Sequence, residues 1–382
     1  MPTDMPTIRK RIEIVMHSEK ADSPGLLAPF LRGVSAVYGA AQKIRAIGYR
    51  HNLLQSKSLA CRVIAIGNIS AGGTGKTPMT IYLARELQQS GKRVAVISRG
   101  YKGAAEKGGG IVSDGQNVLM DAGWAGDEPF MMASRLKGIP VVVGKNRHEA
   151  GILAIREFEP DVIVLDDAYQ HLKLKRDINL VLLDHDRPFG NSHLLPRGIL
   201  REPLDALARA DACILTRSPQ GADLEVFSNR SKVKSVLPQI PVFSSYHAPY
   251  FYLIKSGDRT PLNDISEFLT SPELDRVKQN KVYGFSGIAR NDAFQHTVGK
   301  TGFNGVGYRE FDDHHRYSAT DLEDIVQTAK RAGANCLIST EKDHARIAHQ
   351  MQLSMDMIVV GVRIAFNQGG QEFMSFVKSQ LK

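Results

Sequence analysis

Three features of the sequence predict an α/β protein with a mostly parallel sheet flanked by helices and a smaller α/β domain at the C-terminal end. Short apolar stretches of strand length alternate with amphipathic helical stretches from residue 62 onward. A glycine-rich loop joins the first strand of that series to its first helix. A later apolar strand ends in two aspartates, at the edge where open parallel sheets collect their ligands. The 382 residues suffice for two domains, and 42% hydrophobic with 23% charged residues is an ordinary globular composition.

Residues 1–22 lack an apolar segment followed by a small-residue cleavage site, so they read as a disordered leader and not as a signal peptide. Beyond them Leu27, Phe30, Leu31, Val34, Val37, Tyr38 and Ala41 recur at helical spacing, with Arg32 and Lys43 roughly opposite. Ser23 and Pro24 suit the start of that helix. Two readings of the stripe stay open: a helix packed on the rest of the domain, or one lying in a membrane interface. Residues 23–85 contain no Asp or Glu, yet hold Arg32, Lys43, Arg45, Arg50, Lys57 and Arg62 within a chain of formal charge +9. Such a block favours an anionic partner: phospholipid headgroups, nucleic acid or a phosphorylated substrate. The basic residues form no recognised RNA or DNA motif, which puts nucleic acid last. No apolar run reaches the roughly 18 residues needed to span a bilayer. Three cysteines, Cys61, Cys213 and Cys336, form no CxxC pair, so neither a disulfide framework nor a structural zinc is expected and a reducing compartment fits.

RVIAI at residues 62–66 reads as a buried strand. GNISAGGTGKTP follows, then a helical pattern that stops at Gly91. Strand, glycine-rich loop and helix are the setting of a phosphate loop, which makes the fold P-loop NTPase-like. The strict spacing wants glycine where Ser70 stands, but the working parts remain. The backbone of Gly72, Gly73, Thr74 and Gly75 can wrap phosphate oxygens at the positive end of the helix. Lys76 would reach the β- and γ-phosphates of ATP, and the Thr77 hydroxyl would ligate Mg²⁺. The segment PDVIVLDD supplies Asp166 and Asp167 at a strand end as magnesium-side acids.

Two more strands end in basic loops, one with Arg99, Tyr101 and Lys102, the other with Lys145 and Arg147, suiting a second anionic ligand. Between them Asp127 and Glu128 precede Pro129 at a helix start, where acids also serve as simple dipole partners. After residue 241 the pattern changes to two β-rich stretches read as a linker ribbon. A new strand-turn-helix follows at KVYGFSGIAR. A helix is expected from near Ser318 or Thr320 to Gly333, followed by two further strands. The run Asp312, Asp313, His314, His315 reads as a solvated capping loop sooner than a zinc site. A histidine there could also carry protons.

GNISAGGTGKTP, SRGYKG, GDEP, LDDAYQHLKLKRD, FGNSHLLPRGILREP, FSGI, DDHHRY and TEKD occur in the order found in tetraacyldisaccharide 4′-kinases, which the chain resembles from about residue 26 to its end. The resemblance implies ATP-dependent phosphorylation of the 4′-hydroxyl of an acylated disaccharide 1-phosphate lipid, at the cytoplasmic face of the inner membrane. It implies Asp127 as the base for the acceptor hydroxyl, helped by His314 or its neighbour. Lys76 and Arg201 would be charge-neutralising catalytic groups, and Gln170 and His171 would lie near the phosphates. Thr77, Asp166, Asp167 and Glu128 form the expected metal-side set. Asn68, Arg99, Tyr101 and Arg147 are the expected substrate contacts. The helix before the phosphate loop is implied to touch the anionic membrane surface. The chain departs from the usual family pattern at Ala168, at Arg197 (commonly Ala), at residues 289–292 and at His344.

The expected organisation is a leader over residues 1–22, a P-loop kinase domain with its membrane-associating helix over 23–240, and a linker ribbon with a smaller domain over 241–382 that closes over the active site. Two rival functions explain part of the pattern: a P-loop kinase or ligase for a small metabolite, and a non-enzymatic ATP-binding module.

Overall fold

A computed structural model describes residues 8–18, 27–220, 228–256, 271–347 and 353–381. The first third of the chain forms α1 (Ile8–His17), α2 (Leu27–Arg50), β1 (Arg62–Gly67), α3 (Lys76–Gln89), β2 (Val94–Ser98), β3 (Gly110–Ser113), α4 (Ala122–Ala125) and α5 (Asp127–Arg135). Then come β4 (Val141–Val143), α6 (Arg147–Phe158), β5 (Val162–Leu165), β6 (Ile178–Asp184), β7 (Ala212–Thr216), α7 (Ser228–Val236) and β8 (Val242–Ile254). The last part forms α8 (Ser271–Lys278), β9 (Lys281–Ser286), α9 (Asn291–Lys300), β10 (Asn304–Glu310), α10 (Ala319–Arg331), β11 (Cys336–Thr340), α11 (Glu341–Ile347), β12 (Met357–Phe366) and α12 (Gly370–Gln380). The alternation of strands and helices is the one the sequence predicts. β2, β4, β5, β7 and β11 are buried along their whole length, which is why they read as unbroken apolar runs.

The chain divides into two compact units. One comprises Met1–Lys76, Leu165–Tyr246 and Ala365–Lys382; the other comprises Thr77–Val164 and His247–Ile364. In the first unit β1, β6, β7 and the start of β8 pair in parallel, in that order. Ile69, Tyr169, Val181, Leu183, Leu207 and Leu215 lie in its core. In the second unit β2 pairs in parallel with β4, and β3 lies antiparallel to β4. The same unit holds the parallel series β10, β9, β11, β12 over Val282, Phe294, Ile338 and Ile358. The stretch expected as two β-rich pieces is one strand, β8, and residues 257–270 lie outside the described residues.

Residues 8–17 are helical, which corrects the reading of residues 1–22 as an unstructured leader. Val15 is buried against Ala28 and Leu31, with Ile12 and Leu27 packed beside them. Arg197 Nη1 donates to the Val15 carbonyl at 2.8 Å, and Asn191 Nδ2 donates to the carbonyls of Met16 and Ser18 at 3.0 and 3.2 Å. The Val15 and Met16 carbonyls are last-turn acceptors that a helix cannot satisfy by itself, Ser18 lies just past the helix end, and a cation suits that negative end. The partners lie over 170 residues away, so α1 had no local signal. Ser23 and Pro24 fall outside the described residues.

The apolar stripe of α2 divides between two faces. Ala28, Leu31, Ser35 and Gly39 are buried, and Tyr38 turns inward to donate its hydroxyl to the Arg201 carbonyl at 2.7 Å. Arg45 Nη2 donates to the Gln170 carbonyl at 3.0 Å. Phe30, Val34, Val37, Ile44 and Ile47 stay exposed, Val37 by 73%. α2 therefore braces two loops of its unit while presenting an apolar outer face. Among the described residues no helix is long and apolar enough to cross a membrane.

Candidate active site

In the first unit the phosphate loop leaves β1 and turns at Gly72 and Gly75, whose φ angles of +112° and +81° are costly for residues with a Cβ. α3 begins at Lys76, so the loop ends on free helical N–H groups. Asn68 is fully buried and donates through Nδ2 to Thr74 Oγ1 at 2.9 Å. Its carbonyl accepts Gln170 Nε2 at 2.7 Å. On another side Thr216 Oγ1 donates to the Thr74 carbonyl at 2.9 Å, and Arg217 donates to the Gly73 carbonyl. Arg217 is itself held by Asp184 at 2.6 Å. The loop is thus fixed by side chains that spend their donors on its carbonyls and on the Thr74 hydroxyl.

Two cations converge on Asp167 in this unit. Lys76 Nζ lies 3.7 Å from Oδ1, and Arg201 Nη1 lies 3.2 Å from both carboxylate oxygens. Asp167 sits at φ +45°, a left-handed conformation uncommon outside glycine, just after buried Asp166 at the end of β5. Two cations on this one carboxylate place positive charge beside the loop, which suits a polyphosphate. Among the described residues no group of three or more His, Cys, Asp or Glu could hold a metal by itself. Magnesium on nucleotide phosphates needs only one or two protein carboxylates, and the pair Asp166 and Asp167 is a donor set of that kind.

The second unit assembles a different cluster at the start of α5. Gly126, at φ +88°, delivers the chain into the helix, and Asp127 is its first residue. Asp127 Oδ2 receives two contacts, Arg346 Nε at 2.7 Å and His314 Nδ1 at 3.1 Å. His314 occupies a left-handed turn at φ +63°, and its backbone N–H donates to the Gly287 carbonyl at 3.1 Å. That carbonyl also accepts Arg346 Nη1 at 2.8 Å. Asp343, fully buried, accepts from Arg346 Nη1, Tyr317 Oη and the Gly287 N–H. His314 of DDHHRY and Arg346, three residues past TEKD, therefore meet on one carboxylate from GDEP, while Gly287 of FSGI and Asp343 of TEKD hold Arg346.

Burial by itself would push the Asp127 carboxyl up. The His314 hydrogen bond and the charge and hydrogen bond of Arg346 outweigh it and hold the group at about 2. Of the two groups facing His314 Nδ1, the Asp127 carboxylate is an acceptor and the nearer one, whereas the Arg346 guanidinium can only donate, so the Nδ1 proton is assigned to Asp127. His315 instead reaches Asp321 at 3.3 Å, in the N-terminal capping box of α10. The histidine that meets Asp127 is therefore His314.

The remaining expected residues fall differently. Glu128 Oε1 pairs with Lys342 Nζ at 2.6 Å, so this carboxylate is engaged by an ammonium group. Arg147 is buried, and its Nη1 donates to the Gly144 and Lys145 carbonyls of its own loop. Arg99 pairs with Glu106 at 2.7 Å. Tyr101 is half exposed, with its ring edge-on to His314 at 6.2 Å between centroids. Asn68, buried under its loop, supports the phosphate loop. Sequence reasoning missed Arg346 and Lys342. Their i, i+4 spacing, with Lys342 inside TEKD and Arg346 just beyond it, puts both on one helix face and was the available signal.

The profile of the tetraacyldisaccharide-1-phosphate 4′-kinase family matches residues 27–382. A tetraacyldisaccharide 4′-kinase of Desulfatibacillum aliphaticivorans is 40% identical over 382 residues, covering 99% of both chains. One of Pelobacter propionicus is 40% identical over 322 residues, 84% of this chain and 82% of that one. A crystal structure of LpxK from Aquifex aeolicus in complex with ATP superposes with a TM-score of 0.72 at 29% identity, over 93% of this chain and all of that one.

Proposed function

This chain belongs to the tetraacyldisaccharide-1-phosphate 4′-kinase family, phosphotransferases that use ATP to phosphorylate the lipid A precursor at its 4′ position, and on that premise we propose how its own residues carry the reaction. The phosphate loop binds the β- and γ-phosphates of ATP through its backbone and Lys76. Magnesium supplies charge neutralisation on the phosphates when bound; Asp166 and Asp167 are the carboxylates assigned to it, with the Thr77 hydroxyl as a further oxygen donor. Arg201 adds a second cation on the phosphate side, oriented through its contact with Asp167.

Asp127 is the acceptor's base. With Oδ2 held by Arg346 and His314, Oδ1 is the oxygen that takes the proton as the 4′-hydroxyl oxygen bonds to the γ-phosphorus. The bond from that phosphorus to the β–γ bridging oxygen breaks, leaving ADP and the 4′-phosphorylated lipid. The observation that carries this reading is the convergence of His314 and Arg346 on one oxygen of Asp127. That is a constellation suited to presenting a carboxylate in one orientation, not to capping a helix.

The exposed apolar face of α2, in a stretch without acids, supports peripheral binding to anionic membrane. With three free cysteines, a reducing environment is consistent, and the cytoplasmic face of the inner membrane is the location we assign.

The test is transfer of labelled γ-phosphate from Mg·ATP to tetraacyldisaccharide 1-phosphate in detergent micelles, with Lys76→Ala as control. Labelled bisphosphorylated lipid, absent in the control, is the expected outcome. No labelled lipid from folded, ATP-binding protein would overturn the substrate assignment and favour a small-metabolite kinase.

A further inference from the structure

We infer that Arg346 is a positioning residue for phosphoryl transfer, fixing Asp127 and His314 into one acceptor-activating group; the inference rests on the reading of Asp127 as base. Helices α5 and α11 lie antiparallel and are joined by three charged pairs. Asp127 meets Arg346 at 2.7 Å, Glu128 meets Lys342 at 2.6 Å, and Arg135 meets Glu341 at 3.3 Å. Arg135 and Glu341 are both buried and tie one end of the helix pair, with Glu341 also accepting Tyr250 Oη at 2.6 Å. At the other end the pair sets the Arg346 guanidinium, whose side chain is 5% exposed, against Asp127.

Two nitrogens of that guanidinium make its hydrogen bonds, and the third only lies beside the histidine. Nε donates to Asp127 Oδ2, and Nη1 donates to the Gly287 carbonyl and to Asp343 Oδ1 at 2.9 Å. Nη2 lies 3.4 Å from His314 Nδ1. The Gly287 carbonyl is also the acceptor of the His314 backbone N–H, so one planar cation sets both the carboxylate and the turn that carries the histidine. A rigid fork can hold these three directions together, whereas an ammonium group can answer only one at a time. The other charged groups around the cluster are Asp313, 3.9 Å from His314 Nε2, and the Glu128–Lys342 pair. Neither contacts Asp127 Oδ2 among the described residues. With Oδ2 occupied from two sides, Oδ1 is the oxygen left to meet a hydroxyl.

The experiment is a double-mutant cycle on the full chain, reading kcat and the KM for ATP, with melting temperature and ATP affinity as checks on folding. Arg346→Gln should lower kcat about a hundredfold with the KM for ATP within about twofold, since the phosphate loop lies in the other unit. Arg346→Lys should fall between Arg346→Gln and wild type. Asp127→Asn/Arg346→Gln should match Asp127→Asn within about threefold, because Arg346 acts through that carboxylate. A further tenfold loss in the double variant would overturn the inference, as would a wild-type kcat in Arg346→Gln. If Arg346→Gln fails to fold, Arg346→Lys decides, and a wild-type kcat there overturns the inference as well. Near-wild-type activity in Asp127→Asn brings down the base assignment itself. An inactive Asp127→Asn beside a fully active Arg346→Gln brings down only the role of Arg346.

Discussion

Arg346 Nε stands 2.7 Å from Asp127 Oδ2, across 219 residues of chain, and together with the His314 hydrogen bond this contact keeps the acceptor-side carboxylate charged against its burial. Held at about 2, against 3.8 for an ordinary aspartate, the carboxylate favours the folded state above the unfolded value and loses that contribution as pH falls from about 4 towards 2. The difference amounts to about 2 kcal/mol at neutral pH. Asp127→Asn should therefore be less stable than wild type by about that much at pH 7, measured by urea unfolding, and the gap should shrink below pH 4. A gap that stays constant down to pH 3 would contradict the pairing.

Asp127→Ala should lower kcat by about a hundredfold to ten-thousandfold, the range for loss of a positioned base. ATP affinity, read by isothermal titration with a non-hydrolysable analogue, should survive, because Asp127 belongs to a different unit from the phosphate loop. Near-wild-type turnover would sink the base assignment.

Lys76→Ala removes one of the two cations beside Asp167 and the loop. Its kcat/KM for ATP should fall by about a hundredfold or more, while sedimentation with substrate-bearing micelles stays unchanged. An unaltered kcat/KM would count against the phosphate loop.

Phe30→Glu combined with Val37→Glu places two carboxylates on the exposed face of α2. Each apolar side chain contributes on the order of 1.5–3 kcal/mol when buried in an interface, so binding to vesicles rich in phosphatidylglycerol should drop at least about tenfold. Melting temperature should hold, because both side chains are exposed in the folded protein. Undiminished sedimentation would refute α2 as the contact.

Gly103→Ala tests the loop behind Asp127. A Cβ there would lie 2.5 Å from both Gly126 N and Trp124 O and 2.6 Å from Ala125 C, all backbone atoms that cannot rotate away. The variant should lose about 2–3 kcal/mol of stability by thermal or urea unfolding. An unchanged midpoint would show that the loop and the start of α5 are less closely packed than the structure has them.

What the sequence determined by itself was whatever is local. The strand, loop and helix around Lys76 follow from periodicity and from glycines at positions needing positive φ. The start at Ser318 follows from a capping box of side chains bonding their own neighbours, and the stop at Gly333 from a glycine at φ +76°. Asp127 at a helix start was legible for the same reason. The tertiary structure decided the partnerships. Val15 finds Arg197, Asn68 finds Gln170, and Asp127 finds His314 and Arg346, each across about 100 to 220 residues. It also divided the α2 stripe, since spacing marks Phe30 and Leu31 alike and only packing buries one and exposes the other. It placed His314, and not His315, on the carboxylate through a left-handed turn that nothing in an adjacent pair of histidines announces. Local sequence encodes backbone preference, whereas the choice of partner for a charge depends on which elements the sheet brings alongside it.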